Sequence, residues 1–241
     1  AIYALSKEYG FKIIEDASHA IGGKYLNEPI GNCKYSDITV FSFHPVKIIT
    51  TGEGGMALTN NNKLFKRMSL LRSHGITRDP SQMTKQADGD WYYQQIELGY
   101  NYRMTDIQAA LGVSQLKRLD DYVSRRHELY TRYNELLKGF PLVIPYQYSD
   151  GYSAFHLYII RLKNRDKHKR VFEYLRKNGI GVNLHYIPVY HQPYYEAMGF
   201  KKGYCLEAEN YYNEAISLPM YATLSEVDQD KVVAVLHEAL N

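Results

Sequence analysis

The sequence predicts an α/β protein with two domains, and three observations support this prediction. The chain has 241 residues, of which 45% are hydrophobic and 23% charged, enough for one large or two modest globular domains. Helix and strand patterns alternate along the first 60 residues. A second succession of strand, helix, strand and helix fills roughly the last 90 residues. We therefore divide the chain into a first domain over 1–115 and a second over 116–241.

The first domain opens with a helix pattern that Gly10 ends, followed by FKIIED (11–16), a short strand with Asp16 at its carboxyl end. Three further elements come next: a glycine-rich hairpin at 21–31, an apolar strand at 37–43 and a short strand at 56–59. Lys47 lies just beyond the second of these, in an irregular turn. Because open α/β sheets bind ligands at the carboxyl ends of their strands, Asp16 and Lys47 lie where a ligand site is expected.

Residues 61–74 are predicted to be helical, and 74–98 to form a polar loop without periodicity. One long helix is then predicted from Thr105 to about residue 139, crossing between the domains. Its apolar side consists of Ile107, Leu111, Leu116, Leu119, Val123 and Tyr130. The predicted elements of the second domain are strands at 154–162 and 181–189, a helix at 165–179 and a final helix at 225–240, capped by Ser225 and Asp228.

The composition excludes several classes of function. The net charge is +3, and no block of like charges stands out, so nothing favours nucleic-acid binding. No stretch of 18 apolar residues predicts a membrane span. Cys33 and Cys205 lie far apart without metal-ligand spacing, so we expect a reducing, cytoplasmic setting and no bound metal. The motifs of P-loop, Rossmann, HExxH and GxSxG proteins are absent as well.

The surroundings of Lys47 indicate chemistry at a single amine. Ser42 and His44 precede it, and the hydroxyl and glycine residues of TTGEGG (50–55) follow it, a composition that can hold a phosphate. A desolvated lysine there could attack an aldehyde to form a Schiff base, and Asp16 could pair with the ring nitrogen of pyridoxal phosphate. From spacing alone, the alternative is a solvated loop lysine beside a tight glycine turn.

Several segments together resemble the DegT/DnrJ/EryC1/StrS family of sugar aminotransferases. They are EDASHAIGG (15–23), SFHPVK and TTGEGG within 42–55, LGYNYRMTDIQAALG (98–112), LHYIPVYHQPYY (184–195) and ISLPMY (216–221). The resemblance runs along essentially the whole chain. It implies fold type I, the aspartate aminotransferase-like α/β fold, with pyridoxal 5′-phosphate as cofactor. It also implies that the N-terminal part of the large domain is missing, so we expect the chain to be a fragment.

The resemblance assigns roles to individual residues. Those implied for the cofactor are Lys47 as Schiff-base lysine and general base, Asp16 as partner of the ring nitrogen, Ser42 as phosphate ligand and His19 as a neighbour of the phenolic oxygen. Asn101 is implied to reach the phosphate of the neighbouring subunit's cofactor, which implies a homodimer with shared sites. The alternatives are that Ser42 only ends a strand, that His19 only closes a turn and that Asn101 caps the next helix.

The resemblance also implies a substrate class. The segments around Lys47, HGITRDP (74–80) and WYYQQIELGYNYR (91–103) most resemble enzymes that aminate C4 of a UDP-linked 4-keto-6-deoxy-N-acetylhexosamine, with L-glutamate as donor, in nucleotide-sugar biosynthesis of the pseudaminic acid type. His185 and Tyr186 are candidates to line the sugar pocket, or else a buried structural pair. Two other functions stay open: a non-catalytic cofactor-binding or regulatory protein, and a sugar dehydratase, which the lysine at position 47 disfavours.

Overall fold

The computed structural model describes all 241 residues, which form two compact units, residues 1–119 and 120–241. The helices are α1 (Ile2–Tyr9), α2 (Asn62–Leu71), α3 (Asp106–Leu116), α4 (Leu119–Leu136), α5 (His168–Lys177), α6 (Pro193–Glu196), α7 (Leu206–Glu214) and α8 (Glu226–Leu240). The strands are β1 (Ile14–Asp16), β2 (Lys24–Tyr25), β3 (Glu28–Pro29), β4 (Ile38–Ser42), β5 (Gly55–Leu58), β6 (Ile76–Thr77), β7 (Gln94–Gln95), β8 (Leu142–Val143), β9 (Gly151–Tyr152), β10 (Tyr158–Leu162) and β11 (Ala215–Leu218). None of the helices combines the length and apolar character needed to cross a membrane.

The first unit is built on a three-stranded sheet in the order β1-β4-β5. β1 and β4 run parallel, with Asp16 opposite Val40, so their carboxyl ends meet at one edge of the sheet. β5 returns antiparallel to β4 and pairs Gly55 with Ser42. Phe41 and Phe43 are buried around the end of β4. This arrangement confirms the predicted strands, although the first is shorter than 11–16.

Local turn chemistry explains the start of the first unit. Gly10 adopts φ 73° and donates its N–H to the carbonyl of Ser6, which ends α1 as predicted. β2 and β3 form the predicted hairpin, and its two turn residues, Leu26 and Asn27, have φ of 50° and 64°. Positive φ at both central residues matches the twist of the flanking strands.

The segment predicted as an irregular loop over 74–98 contains a short two-stranded ribbon. β6 and β7 pair antiparallel, with Ile76 opposite Gln95. The preceding helix ends earlier than predicted, because His74 has φ 62° and donates its N–H to the carbonyl of Tyr100 instead of continuing the helix. Two-residue strands leave too short an alternating pattern to be recognised in a sequence.

The predicted long helix from Thr105 is wrong, because the structure has two helices, α3 and α4. Lys117 and Arg118 both donate their N–H groups to the carbonyl of Gln115, which tightens the last turn of α3 and ends it. No residue of α3 is buried, whereas α4 buries Val123, Leu129 and Tyr133 among others. The sequence does not reveal the break between α3 and α4, because the apolar spacing continues across it and neither proline nor glycine lies there.

The second unit packs helices against an antiparallel sheet in the order β11-β10-β8. Ile160 pairs with Ile216, and α5 packs against α8. The predicted strand at 181–189 is wrong: only Asn183 bridges to Ser217, and β11, every residue of which is buried, occupies the position beside β10. In that segment only Val182 and Pro188 are buried, and a proline has no N–H to donate to a neighbouring strand, so the segment pairs less well than β11.

The last helix begins as predicted. The Ser225 hydroxyl oxygen accepts the backbone N–H of Asp228 at 3.0 Å, and the same hydroxyl bonds to the Asp228 carboxylate at 2.6 Å. One N–H of the first turn is thereby satisfied, as helix N-caps require.

Candidate active site

Three of the predicted site residues lie around the end of the parallel strand pair. Asp16 is the last residue of β1 and Ser42 the last of β4, and Lys47 follows in the turn after β4. The Asp16 side chain is exposed, and Lys47 and Ser42 are half-buried. The parallel register therefore brings the carboxylate, the hydroxyl and the amine to the same sheet edge.

Hydrogen bonds within the turn after β4 hold its backbone in place. The Thr50 hydroxyl donates to the Phe43 carbonyl at 2.9 Å, and the Thr51 hydroxyl donates to the Glu53 carbonyl at 2.7 Å. The Thr50 oxygen also accepts the N–H of Gly52 at 2.9 Å. The two threonine hydroxyls are thus engaged in shaping the turn, and phosphate binding by this turn stays a prediction.

Helix α3 supports the same turn. The Gln108 side chain donates Nε2–H to the Glu53 carbonyl at 3.0 Å, while its Oε1 accepts from the backbone N–H of Thr105 at 3.0 Å. A Cβ at Gly112 would lie 2.8 Å from the Thr51 methyl carbon, so glycine allows α3 to approach closely. One glutamine therefore both caps α3 and fixes the turn that carries Lys47.

Lys47 and Asp16 influence each other's protonation. Burial lowers the pKa of the Lys47 amine below its usual range, while the negative charge of Asp16 opposes that shift. The pKa of Asp16 is lowered, first by the Ser18 hydroxyl and next by the Ser18 N–H, with smaller contributions from the charges of His19 and Lys47. The site therefore favours an ionised carboxylate and enlarges the neutral fraction of the amine.

The turn after β1 contains a residue that the sequence analysis did not single out. Ser18 donates both its backbone N–H, at 3.0 Å, and its hydroxyl, at 2.5 Å, to Oδ1 of Asp16. His19, exposed in the same turn, interacts electrostatically with Asp16. The signal for Ser18 was present, because an aspartate followed two residues later by serine is typical of a side-chain-capped turn.

Asn101 lies on a different part of the first unit. It is exposed and bridges to Ser73, and its Oδ1 accepts a hydrogen bond from Arg103 at 2.9 Å. The helix that follows is capped by Thr105, so the alternative that Asn101 caps it is wrong. None of its hydrogen bonds reaches Asp16, Ser42 or Lys47. With Oδ1 engaged, Asn101 offers its amide N–H donors, which suit an anion.

His185 and Tyr186 belong to the second unit. The His185 Nδ1 and the Ser217 hydroxyl lie 2.7 Å apart, which ties this segment to β11. The two rings meet edge to face at 4.7 Å, and Tyr186 is 61% exposed. The alternative of a buried structural pair is therefore wrong for Tyr186, whose ring stays available to a ligand.

Comparison with known proteins gives a family match along nearly the whole chain. The profile of the "DegT/DnrJ/EryC1/StrS aminotransferase family" matches residues 1–237. The UDP-4-amino-4,6-dideoxy-N-acetyl-beta-L-altrosamine transaminase of Campylobacter jejuni (serotype O:2) is 37% identical over 240 residues, covering 98% of this chain and 60% of the relative.

Solved structures agree with the family match. Helicobacter pylori PseC, an aminotransferase involved in the biosynthesis of pseudoaminic acid, superposes with a TM-score of 0.90 at 30% identity, covering 99% of this chain and 62% of PseC. Spr1654 of Streptococcus pneumoniae in its PLP form superposes with a TM-score of 0.85 at 29% identity, covering 98% of this chain and 61% of Spr1654. The chain thus spans about three fifths of the length of the relatives that it matches.

Proposed function

We propose a function from one premise: the chain belongs to the DegT/DnrJ/EryC1/StrS aminotransferase family. We infer that the protein is a pyridoxal phosphate-dependent aminotransferase that acts on a nucleotide sugar. The observation that carries the proposal is the half-buried Lys47 amine, with its lowered pKa, beside the ionised carboxylate of Asp16 at the strand ends.

The donor set suits pyridoxal phosphate. Its aldehyde requires an amine with a neutral fraction, which Lys47 supplies, and its protonated ring nitrogen requires an anion, which Asp16 supplies. Ser42 would hold the phosphate through its hydroxyl, and His19 would lie near the phenolic oxygen. The structure in the PLP form among the relatives supports the same cofactor.

When bound, pyridoxal phosphate would supply an electron sink that stabilises negative charge during transfer of an amino group from an amino acid to a ketone. Lys47 acts as general base and acid at Nζ, since burial lowers its pKa and so makes the neutral amine more accessible as a proton acceptor. Asp16 stays ionised because Ser18 donates two hydrogen bonds to it, so its negative charge stabilises a positive ring nitrogen.

For the substrates we propose a UDP-linked 4-keto-6-deoxy-N-acetylhexosamine, aminated at C4, and L-glutamate as donor. The names of the C. jejuni and H. pylori relatives support this sugar class. The exposed ring of Tyr186 and the neighbouring His185 are the candidates for contact with the sugar.

We propose that the enzyme is a homodimer in which Asn101 reaches the phosphate of the neighbouring subunit's cofactor. Its exposure and its engaged Oδ1 support this role, because they leave the amide N–H groups for an external anion. A cytoplasmic setting fits Cys33 and Cys205, which are both free thiols.

The first experiment tests the cofactor site. Wild type is incubated with pyridoxal phosphate, reduced with borohydride and mapped by peptide mass spectrometry, next to Lys47→Ala and the exposed control Lys63→Ala. We expect the added mass on the Lys47 peptide in wild type and in Lys63→Ala, and none at that position in Lys47→Ala. Addition spread over exposed lysines, with no preference for Lys47, would overturn the proposed site.

The second experiment separates the three candidate functions. The protein is supplied with glutamate and the UDP-linked keto sugar, and the product is weighed by mass spectrometry. A gain of the amino group supports the aminotransferase, loss of the C3 hydroxyl indicates a dehydratase, and an unchanged sugar in a cofactor-loaded protein indicates a non-catalytic member.

A further inference from the structure

Ser18 holds only one of the two oxygens of the Asp16 carboxylate. Both hydrogen bonds from Ser18 end on Oδ1, the N–H at 3.0 Å and the hydroxyl at 2.5 Å, so Ser18 does not engage Oδ2. Ser18 lies in the turn just after β1, which is anchored by the N–H of Ala20 donating to the carbonyl of Ala17 at 2.9 Å. The donors therefore sit on a fixed turn next to the sheet edge.

A carboxylate held in this way has one preferred orientation. Hydrogen bonds to an ionised group are the stronger kind, and two on one oxygen restrict rotation of the side chain. The charged groups around Asp16 are His19 in the same turn and Lys47 from the turn after β4, and both favour the ionised form. Ser18 differs from them because it is uncharged, so it orients the carboxylate at every pH at which its partner is ionised.

We propose that Ser18 is a positioning residue for the cofactor: it fixes Oδ1 of Asp16 and so presents Oδ2 to the ring nitrogen. This inference rests on the proposed function. Ser18 touches neither cofactor nor substrate in this role and acts only through Asp16.

The same unit contains a matched control. Ser81 donates its N–H at 2.9 Å and its hydroxyl at 2.7 Å to Oδ1 of Asp79, the same arrangement in an exposed turn. There too, the serine hydroxyl is the largest cause of a lowered aspartate pKa. The two turns share the pair of serine hydrogen bonds on Oδ1, but Oδ2 of Asp79 also accepts from Gln82 Nε2 at 2.9 Å. Ser81 is therefore a control for the serine hydrogen bonds alone.

The first measurement uses the protein without cofactor and follows the side-chain carboxyl carbons of Asp16 and Asp79 by NMR during a pH titration. We expect Ser18→Ala to raise the titration midpoint of Asp16 alone, and Ser81→Ala that of Asp79 alone. Ser18→Thr keeps a hydroxyl and should leave the Asp16 midpoint near wild type. An unchanged Asp16 midpoint in Ser18→Ala, or equal shifts in Ser18→Ala and Ser18→Thr, overturns the proposal.

The second measurement is the dissociation constant of pyridoxal phosphate. We expect Ser18→Ala to weaken it severalfold, because the Asp16 carboxylate is then no longer held in one orientation, with Ser18→Thr and Ser81→Ala close to wild type. Wild-type affinity in Ser18→Ala overturns the positioning role. If wild type binds no pyridoxal phosphate, the proposed function fails, whereas the titration still decides whether Ser18 holds Asp16.

Discussion

The two units differ in how many of their apolar side chains are buried. In the second unit, one cluster of buried side chains joins α4, α5 and α8 to the sheet, and Ile160 and Leu236 are fully buried in it. In the first unit, α3 buries none of its residues, and Leu98 and Ile107 are 89% and 85% exposed. Burial of apolar side chains therefore stabilises the second unit more than the first. The first unit contains Asp16 and Lys47, the groups that carry the proposed chemistry.

Polar groups show the same contrast. In the second unit, the buried Arg126 donates to three backbone carbonyls and the buried Gln229 donates to the carbonyl of Leu129, so their hydrogen bonds serve packing. In the first unit, Asp16 is the exposed last residue of β1, and Lys47 lies half-buried in the turn after β4. The difference indicates that stability and the proposed chemistry are supplied by separate parts of this chain, and four pairs of substitutions test that division.

The largest expected effect is on the core of the second unit. Leu236→Ala removes a fully buried side chain and should lower the free energy of unfolding by roughly 2 to 5 kcal/mol. Ile107→Ala in α3 should change it by about 0.5 kcal/mol or less, because the side chain is already in water. Urea denaturation followed by circular dichroism measures both. A large loss in Ile107→Ala would break the comparison and indicate that this face is covered in solution.

The next effect concerns the buried guanidinium of Arg126. Its Nη1 donates to the carbonyls of Phe155, His156 and Met220 at 3.0, 3.2 and 2.9 Å, and burial lowers the pKa of Arg126 to about 10. Arg126→Met leaves these carbonyls without that donor, so we expect a loss of roughly 2 to 3 kcal/mol. Thermal unfolding next to the exposed control Lys169→Met tests it. Equal melting temperatures for the two variants would contradict the packing role.

The N-caps of α3 and α8 allow the same kind of hydrogen bond to be compared in the two units. Ser225→Ala and Thr105→Ala each delete a side-chain oxygen that accepts a first-turn N–H, at a cost of about 1 kcal/mol of helix stability. Since α8 is part of the large core, Ser225→Ala should lower the global unfolding free energy. Thr105→Ala should instead speed amide hydrogen exchange in α3 and in the turn tied to it by Gln108. Faster exchange spread evenly over both units in either variant would count against separate stabilities.

The smallest expected effect is a gain of stability when the Lys47 amine is removed. Because burial lowers the pKa of Lys47, the folded chain binds fewer protons than the unfolded chain between that lowered pKa and 10.5. Stability should therefore rise with pH across this window, and the protonated amine costs stability at pH 7. Lys47→Met should unfold at slightly higher urea than wild type at pH 7, with a difference that shrinks towards pH 10.5. Lys63→Met is the control, and a stability loss in Lys47→Met at pH 7 would refute the desolvation cost.

Local features of both units, and part of the site, could be predicted from short sequence patterns. Gly10, the hairpin at β2 and β3 and the cap at Ser225 depend on the backbone preferences of a few neighbouring residues, so their patterns sufficed. The positions of Asp16 and Lys47 followed from strand ends in an α/β pattern. The roles of His19, Ser42 and Asn101 came from family resemblance and stay predictions.

The errors share one physical cause. The break between α3 and α4, the β6–β7 ribbon and the choice of β11 over 181–189 all depend on which surfaces find partners far along the chain. Local periodicity cannot rank such pairings, because an apolar stripe looks alike whether it is buried or exposed. The hydrogen bonds of Thr50 and Thr51 could not be predicted for the same reason, since their hydroxyls bond to backbone carbonyls that only the folded turn brings near.

The sequence by itself determined the α/β class through local patterns, and it indicated the family through the resemblance of several segments. The two groups at the centre of the proposed chemistry came from both, because strand ends and motif positions are visible in the sequence. Only the tertiary structure decided how those groups are held: the two hydrogen bonds from Ser18 to Asp16, and the glutamine of α3 that supports the Lys47 turn. Charge and orientation at a site depend on distances of a few ångströms between segments. Those distances exist only once the sheet and the helices have packed.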